Sequence, residues 1–203
     1  MNIPSVAQRR QMRGFTMIEL IVVIVILGIL AAVALPRFTN IQRDARIAKL
    51  NAARGAVQAA AGLIHGTSLA RGGLPDTVAC PGGGGTANNA AGAAGTVCTE
   101  NGVVATAFTY PASAALAAVP PGIVGATGLT STFSPTLAQL NADGYGVAVA
   151  GAVTTVSVIG GSGTTGGAGA QTNATCSFTY TAPAAANAAP VISAITAASS
   201  AGC

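Results

Sequence analysis

Residues 15–35 read FTMIELIVVIVILGILAAVAL. The run of 21 residues carries a single charge, Glu19. As a helix rising 1.5 Å per residue it is long enough to cross about 30 Å of hydrocarbon. Arg9, Arg10 and Arg13 stand before it, so the positive-inside rule puts the N-terminus in the cytoplasm and the remainder outside. A cleaved secretory signal would have a uniformly apolar core of roughly 7–15 residues and a small-x-small exit. Ala32-Val33-Ala34 supplies the exit, but the run is too long and Glu19 interrupts it near its start. A plain single-pass anchor fits the length and leaves the carboxylate unexplained. An ionised group near the centre of a membrane helix costs roughly 2.5–3.5 kcal/mol, and less near an end.

Around this run the chain is poor in chemistry. Its 203 residues include nine Lys+Arg, five Asp+Glu, one His and no Trp. That leaves little for acid–base or metal catalysis and points away from an enzyme. The net charge of +4 is confined to one end, since every basic residue lies at or before Arg71. From Thr67 onward the charged residues are Arg71, Asp76, Glu100 and Asp143. A phosphate-binding surface needs clustered Lys and Arg, so no nucleic-acid partner is implied.

Gly14-Phe15-Thr16-Met17-Ile18-Glu19-Leu20, after a short basic leader, resembles the cleavage and methylation signal of type IV prepilins. Pro36-Arg37-Phe38-Thr39-Asn40-Ile41-Gln42-Arg43-Asp44-Ala45-Arg46 is similar to the mannose-sensitive haemagglutinin group of pilins. The specific part of the resemblance covers residues 13 to about 65; the rest matches only in general style. It implies that a membrane aspartyl peptidase cuts between Gly14 and Phe15 and methylates the new amine of Phe15. It also implies that Glu19 guides assembly in the membrane. The implied partners are further copies of the chain in a helical filament, the prepilin peptidase, the inner membrane before assembly and the pilus assembly machinery. The implied location is the inner membrane and then an extracellular pilus of a Gram-negative bacterium. No cofactor and no metal are implied.

Gly28 and Pro36 are weak points of the helix, one by backbone freedom and the other by a lost hydrogen bond. Past Pro36 the pattern becomes amphipathic. Ile41, Ala45, Ala48, Ala52, Ala56 and Ala59 recur at spacings of three and four and form a small-residue face suited to close approach by a sheet. Ile47, Leu50, Val57 and Ala61 lie on roughly the opposite side, among Arg43, Arg46 and Arg54, and a second apolar stripe suggests a second partner. The helix is expected to end near Leu63-Ile64-His65-Gly66, with Gly66 as its stop. His65 stands alone and reads as a helix-end residue favoured by the dipole. Arg43, Asp44, Arg46 and Lys49 read either as charge contacts between subunits or as a solvated face.

Beyond Gly66 the composition changes. The glycine runs at 82–85 and 160–167 read as loops, and no Lys-Ser/Thr follows either to make a phosphate loop. Strand candidates are Val103 to Tyr110, Tyr145 to Ile159 and Thr175 to Thr181. Short turn-rich connections suggest an antiparallel sheet against the small-residue face, an α+β head that is type IV pilin-like. Ala184 to Ala201 is left open as loop, short helix or final strand. Cys80, Cys98, Cys176 and Cys203 all fall in the exported part, where an even count reads as two disulfides. Three pairings are possible. Neighbour pairing, Cys80–Cys98 and Cys176–Cys203, closes the shortest loops, and the second pair looks like the disulfide-bounded C-terminal loop of type IV pilins. Asn173-Ala174-Thr175 fits the glycosylation triplet, which arises often by chance.

The chain is therefore expected to comprise a cleaved leader (1–14), a transmembrane and assembly helix (15–35), its amphipathic continuation (36–65) and a disulfide-stapled head (66–203). The leading function is a structural pilin that forms an extracellular filament for adhesion or motility. The alternative is the major pseudopilin of a type II secretion system, whose kind usually binds calcium through C-terminal carboxylates. Here Asp143 is the one carboxylate of the last hundred residues. An adhesive or DNA-binding module is a third class, but no glycan pocket can be read from the sequence.

Overall fold

The computed structural model describes residues 15–203, with residues 35–40 described by their backbone alone. The leader of residues 1–14, Gly14 included, lies outside the described residues. The chain divides into two units, Met1–Gln42 and Arg43–Cys203. A helix, α1 (Met17–Arg71), begins in the first and ends in the second, and its backbone is helical through Gly28 and Pro36 alike.

The helix passes the expected stop at Gly66 and ends at Arg71. Ile64 and Ser68 are buried on either side of Gly66, and the Thr67 hydroxyl donates to the Ile64 carbonyl at 2.9 Å. Glycine costs roughly 1 kcal/mol inside a helix, and the packing of Ile64 with Val97 and Val104 beside it outweighs that cost. The stop is made instead by Gly72 and Gly73, at φ 60 and 76. The Gly72 N–H donates to Leu69 and the Leu74 N–H to Arg71, which satisfies two of the orphan carbonyls of the last turn.

In the second unit β1 (Gly95–Thr99), β2 (Gly102–Ala107) and β3 (Tyr110–Pro111) form one antiparallel sheet. Two short helices follow, α2 (Ile123–Ala126) and α3 (Leu137–Ala142). The segment expected as one strand from Tyr145 to Ile159 is a hairpin, β4 (Tyr145–Ala150) and β5 (Val153–Val158). Gly151, at φ 58, makes the turn possible. β6 (Thr164–Thr165) and β7 (Thr172–Asn173) form a small ribbon. β8 (Ser177–Thr181) pairs with β5 and with β9 (Val191–Ile192), giving a second sheet in the order β4-β5-β8-β9. Ala184 to Ala201 is thus mostly turn around one short strand. The fold is α+β with antiparallel sheets.

The core joins Leu50, Ala53, Val57 and Ala61 of α1 to Leu140, Val147, Val156, Phe178 and Tyr180. This reverses the expected docking. The small-residue face does not meet the sheet: Ala45, Ala48, Ala52 and Ala59 are exposed, and Ile41 is 60% exposed. The reason is area. Fully burying a Leu or Val side chain is worth roughly 1.5–3 kcal/mol, and an alanine methyl far less. The head therefore takes the face that carries the larger side chains.

Candidate functional site

The first unit presents an apolar surface to its surroundings. Met17–Ala34 is long and apolar enough to cross a membrane by length and composition, and none of that window is buried. Phe15, which would be the first residue after cleavage, is 77% exposed. At the helix start Thr16 and Glu19 form a capping box. The Thr16 N–H and hydroxyl both donate to Glu19 Oε2, at 2.9 and 2.6 Å, and the Glu19 N–H donates to Thr16 Oγ1 at 3.3 Å. The Thr-x-x-Glu spacing announces this cap in the sequence, although Glu19 reads there only as an assembly group. Among the described residues Oε1 has no hydrogen bond. No side chain stands within 4 Å of a methyl placed on Gly28.

In the second unit the basic residues of α1 serve the chain's own C-terminal segment. Arg54 Nε donates to the Ser193 carbonyl at 2.8 Å, Arg46 Nη1 to Cys203 at 2.7 Å and Arg43 Nη2 to Ser200 at 3.4 Å. Lys49 donates to the Asp143 carbonyl and lies 4.3 Å from the centre of the Tyr145 ring. Burial holds the Lys49 pKa below the usual lysine range, against the pull of Asp143. Neither sequence alternative, subunit contacts or a solvated face, anticipates this use. The guanidinium partners are backbone carbonyls, which carry no side-chain signal.

The structure joins Cys80 to Cys98 and Cys176 to Cys203, with Cα atoms 5.5 and 4.8 Å apart. The second bond ends the latched segment, and Gly202 lies so close to Thr175 that a Cβ would fall 1.8 Å from its hydroxyl. Asp76 gathers with Cys80 and Cys98 at metal-binding distances, but both sulfurs are spent in the disulfide. Asp76 itself pairs with Arg71 and accepts from Asn89. Asn173 of the glycosylation triplet is fully buried, with its amide donating to Gly202, so the folded chain does not offer it to a transferase. His65 lies inside α1, its ring stacked on Tyr110 at 4.0 Å.

The prokaryotic N-terminal methylation motif matches residues 9–35. The chain is 50% identical over 48 residues to the type IV narrow pilus major component PilA5 of Thermus thermophilus, covering 24% of this chain and 41% of that one. It is 41% identical over 70 residues to the type II secretion system core protein G of Pseudomonas aeruginosa, covering 34% of this chain and 47% of that one. The chain thus spans less than half the length of these curated relatives. No solved structure matches it. Prepilin motif, apolar helix and relatives agree on the type IV pilin and pseudopilin kind of protein.

Proposed function

We propose that this chain is a structural subunit of a type IV pilus. It would be held in the inner membrane of a Gram-negative bacterium and then polymerised through its N-terminal helix into an extracellular filament for adhesion or motility. The observation that carries the reading is that Met17–Ala34, directly within the methylation motif, buries nothing against its own chain. A helix apolar all round needs either lipid or other helices about it. Prepilin peptidase would cut between Gly14 and Phe15 and methylate Phe15, and the Glu19 carboxylate would meet the amine of a neighbouring subunit as that subunit enters. A buried ion pair of this sort is best attested as a device for setting register.

The similarity to a type II secretion core protein supports a second reading, a major pseudopilin. The C-terminal segment favours the pilin. It is held by a disulfide and by three arginines on carbonyls, and calcium would need several oxygen ligands where Asp143 is the one late carboxylate. Electron microscopy of sheared filaments, with mass spectrometry of their subunit, tests the choice. The expected result is long surface filaments at native expression, built of a chain that begins at Phe15. Gly14→Val should leave only the full-length precursor on an immunoblot. Normal processing of that variant would remove the prepilin reading altogether.

A further inference from the structure

The loop that leaves α1 is stapled back onto β1 by the Cys80–Cys98 bond, and a carboxylate stands beside the staple. Asp76, Cys80 and Cys98 each bring a donor atom within 4.8 Å of the other two, the one group of metal-ligating side chains so placed among the described residues. Arg71 Nη1 and Asn89 Nδ2 both donate to Asp76 Oδ1, the amide at 2.9 Å. Asp76 Oδ2 is buried and among the described residues has no hydrogen-bond partner. Asn89 Oδ1, on the side chain next to it, is buried and unpartnered as well. A buried carboxylate oxygen is costly to leave so, and in native structures such an atom marks a site that takes up water or an ion, or that serves redox chemistry.

The two disulfides differ in access. Cys176 and Cys203 are both buried, and Arg46 donates to the Cys203 carbonyl. Cys80 is buried too, but Cys98 is half-buried and lines an open cleft of about 540 Å³ with Thr67, Arg71, Pro81 and Thr99. Thiol–disulfide exchange depends on such access, so a dithiol from solvent meets Cys98 Sγ before either sulfur of the second bond. Its thiolate attacks that sulfur, forms a mixed disulfide at Cys98 and expels Cys80 as a thiolate. The second thiol of the reagent then displaces Cys98. The chain gains two electrons and two protons, and the dithiol leaves as a disulfide.

We propose that the reduced pair and Asp76 bind one thiophilic divalent cation of the zinc class. Two thiolates and a carboxylate make a tetrahedral zinc set with a fourth position left for water. The charges close as well, since two thiolates, Asp76 and Arg71 together carry −2 against the +2 of the ion. With Arg71 and Asn89 on Oδ1, the carboxylate is already oriented as an outer shell orients a metal ligand, and Oδ2 is the oxygen left to bind. Two sulfurs on one zinc ion stand about 3.8 Å apart, a spacing within reach of side chains whose Cα atoms are 5.5 Å apart. Uptake of the ion releases the two thiol protons. The ion closes the same loop as the disulfide, so the loop stays stapled in either redox state. Calcium is not the cation meant, because it takes hard oxygen ligands and thiolates are soft.

The full chain in detergent is treated anaerobically with dithiothreitol, without denaturant, and its free thiols are alkylated and mapped by mass spectrometry. Cys80 and Cys98 should be labelled well before Cys176 and Cys203. After the reductant is removed, Co²⁺ should bind at one ion per chain with thiolate-to-metal charge-transfer absorption in the near ultraviolet, and Zn²⁺ should displace it. The oxidised chain should show no such band. X-ray absorption by the zinc form should count two sulfurs and two lighter ligands. Asp76→Asn keeps the size of the side chain and should weaken Co²⁺ binding to the reduced chain at least tenfold. The proposal is overturned if Cys80–Cys98 opens no sooner than Cys176–Cys203, if the reduced chain gives no charge-transfer band, or if the sulfur count differs from two. Parental affinity in Asp76→Asn would overturn it too, and should that variant fail to fold, the ligand count of the parent still decides.

Discussion

The two units differ in where their apolar side chains find partners. From Met17 to Ala34 none is buried, whereas in Arg43–Cys203 Leu50, Leu140, Phe178 and Tyr180 are at most 1% exposed. The second unit answers its own needs. Its apolar groups fill a main core and two smaller clusters, Arg43, Arg46 and Arg54 bond to its own carbonyls, and its cysteines pair with one another. The first unit is apolar without being folded over anything, and so its sequence is addressed to other molecules. Glu19 is the single charge within Met17–Ala34, and among the described residues only one of its oxygens accepts a hydrogen bond. The contrast teaches that substitutions in the first unit should be read in assembly, and those in the second in stability.

Glu19 is where that contrast is broken most easily. Glu19→Ala removes both the cap and the charge, and filaments should be lost while cleavage after Gly14 continues. Glu19→Gln separates the two effects, because glutamine also closes a capping box but carries no charge. If charge pairing between subunits drives assembly, Glu19→Gln should lose filaments as completely as Glu19→Ala, with a processed chain of normal abundance on the blot. If Glu19→Gln makes filaments at the parental yield, the residue is a helix cap and the register role is wrong. A lost cap alone costs about 0.5–2 kcal/mol, which is too little to abolish a filament held by many helices.

The two faces of α1 sharpen the comparison within one helix. Leu50 is fully buried in the head core, so Leu50→Ala should lower its stability by about 2–5 kcal/mol, read as a fall in the denaturation midpoint of the full chain in detergent. Ala52 is exposed two residues further on. Ala52→Leu should leave that midpoint within about 0.5 kcal/mol, as surface changes usually do, while reducing filament yield if the small-residue face packs against other copies. A large loss of stability from Ala52→Leu would show that this face is covered by the chain itself.

The sequence makes the apolar run, the antiparallel strands and the two disulfides legible, because each rests on a local pattern. Periodicity also finds both stripes of α1, but it does not rank them. The choice depends on how much area the head can cover, and Leu50 and Val57 outweigh a row of alanines only once a sheet is there to bury them. The end of the helix moves for a similar reason, since Gly66 is a sound local stop that tertiary burial of Ile64 overrides. β1 escapes notice because Gly95–Thr99 is short and opens on glycine. The Phe108-Thr109 turn is hidden because those residues carry no turn signal at all, and the mismatch appears only when the φ angles are known. Of the candidate functional surface, the methylation motif can be read directly, and so can the Thr-x-x-Glu spacing that caps the helix. The arginine latch cannot, since its acceptors are main-chain oxygens.

The smallest effect expected is a pH dependence confined to the second unit. Tyr180 is fully buried and its hydroxyl donates to the Pro111 carbonyl at 2.6 Å. Burial, and then the neighbouring Tyr110, push its pKa well above the ordinary tyrosine value of 10.0. Tyr145 moves the same way, by burial and then by Asp143. Above pH 10 the unfolded chain releases these protons while the folded chain keeps them, so the folded state binds more protons and stability falls as pH rises. Lys49 works in the opposite sense. Its pKa is depressed below 10.5 by burial, so the unfolded chain holds more of that proton and stability gains slightly up to that pH. Two raised tyrosines against one partly exposed lysine give a net loss above pH 10. Denaturation midpoints of the full chain in detergent between pH 8 and 11 should stay nearly level and then decline. Tyr180→Phe should flatten the decline, although its midpoint at pH 8 should be lower by about 0.5–1.5 kcal/mol for the lost hydrogen bond. An equally steep decline in Tyr180→Phe would place the alkaline sensitivity outside this core, and with it the claim that the second unit's stability is set by its own buried groups.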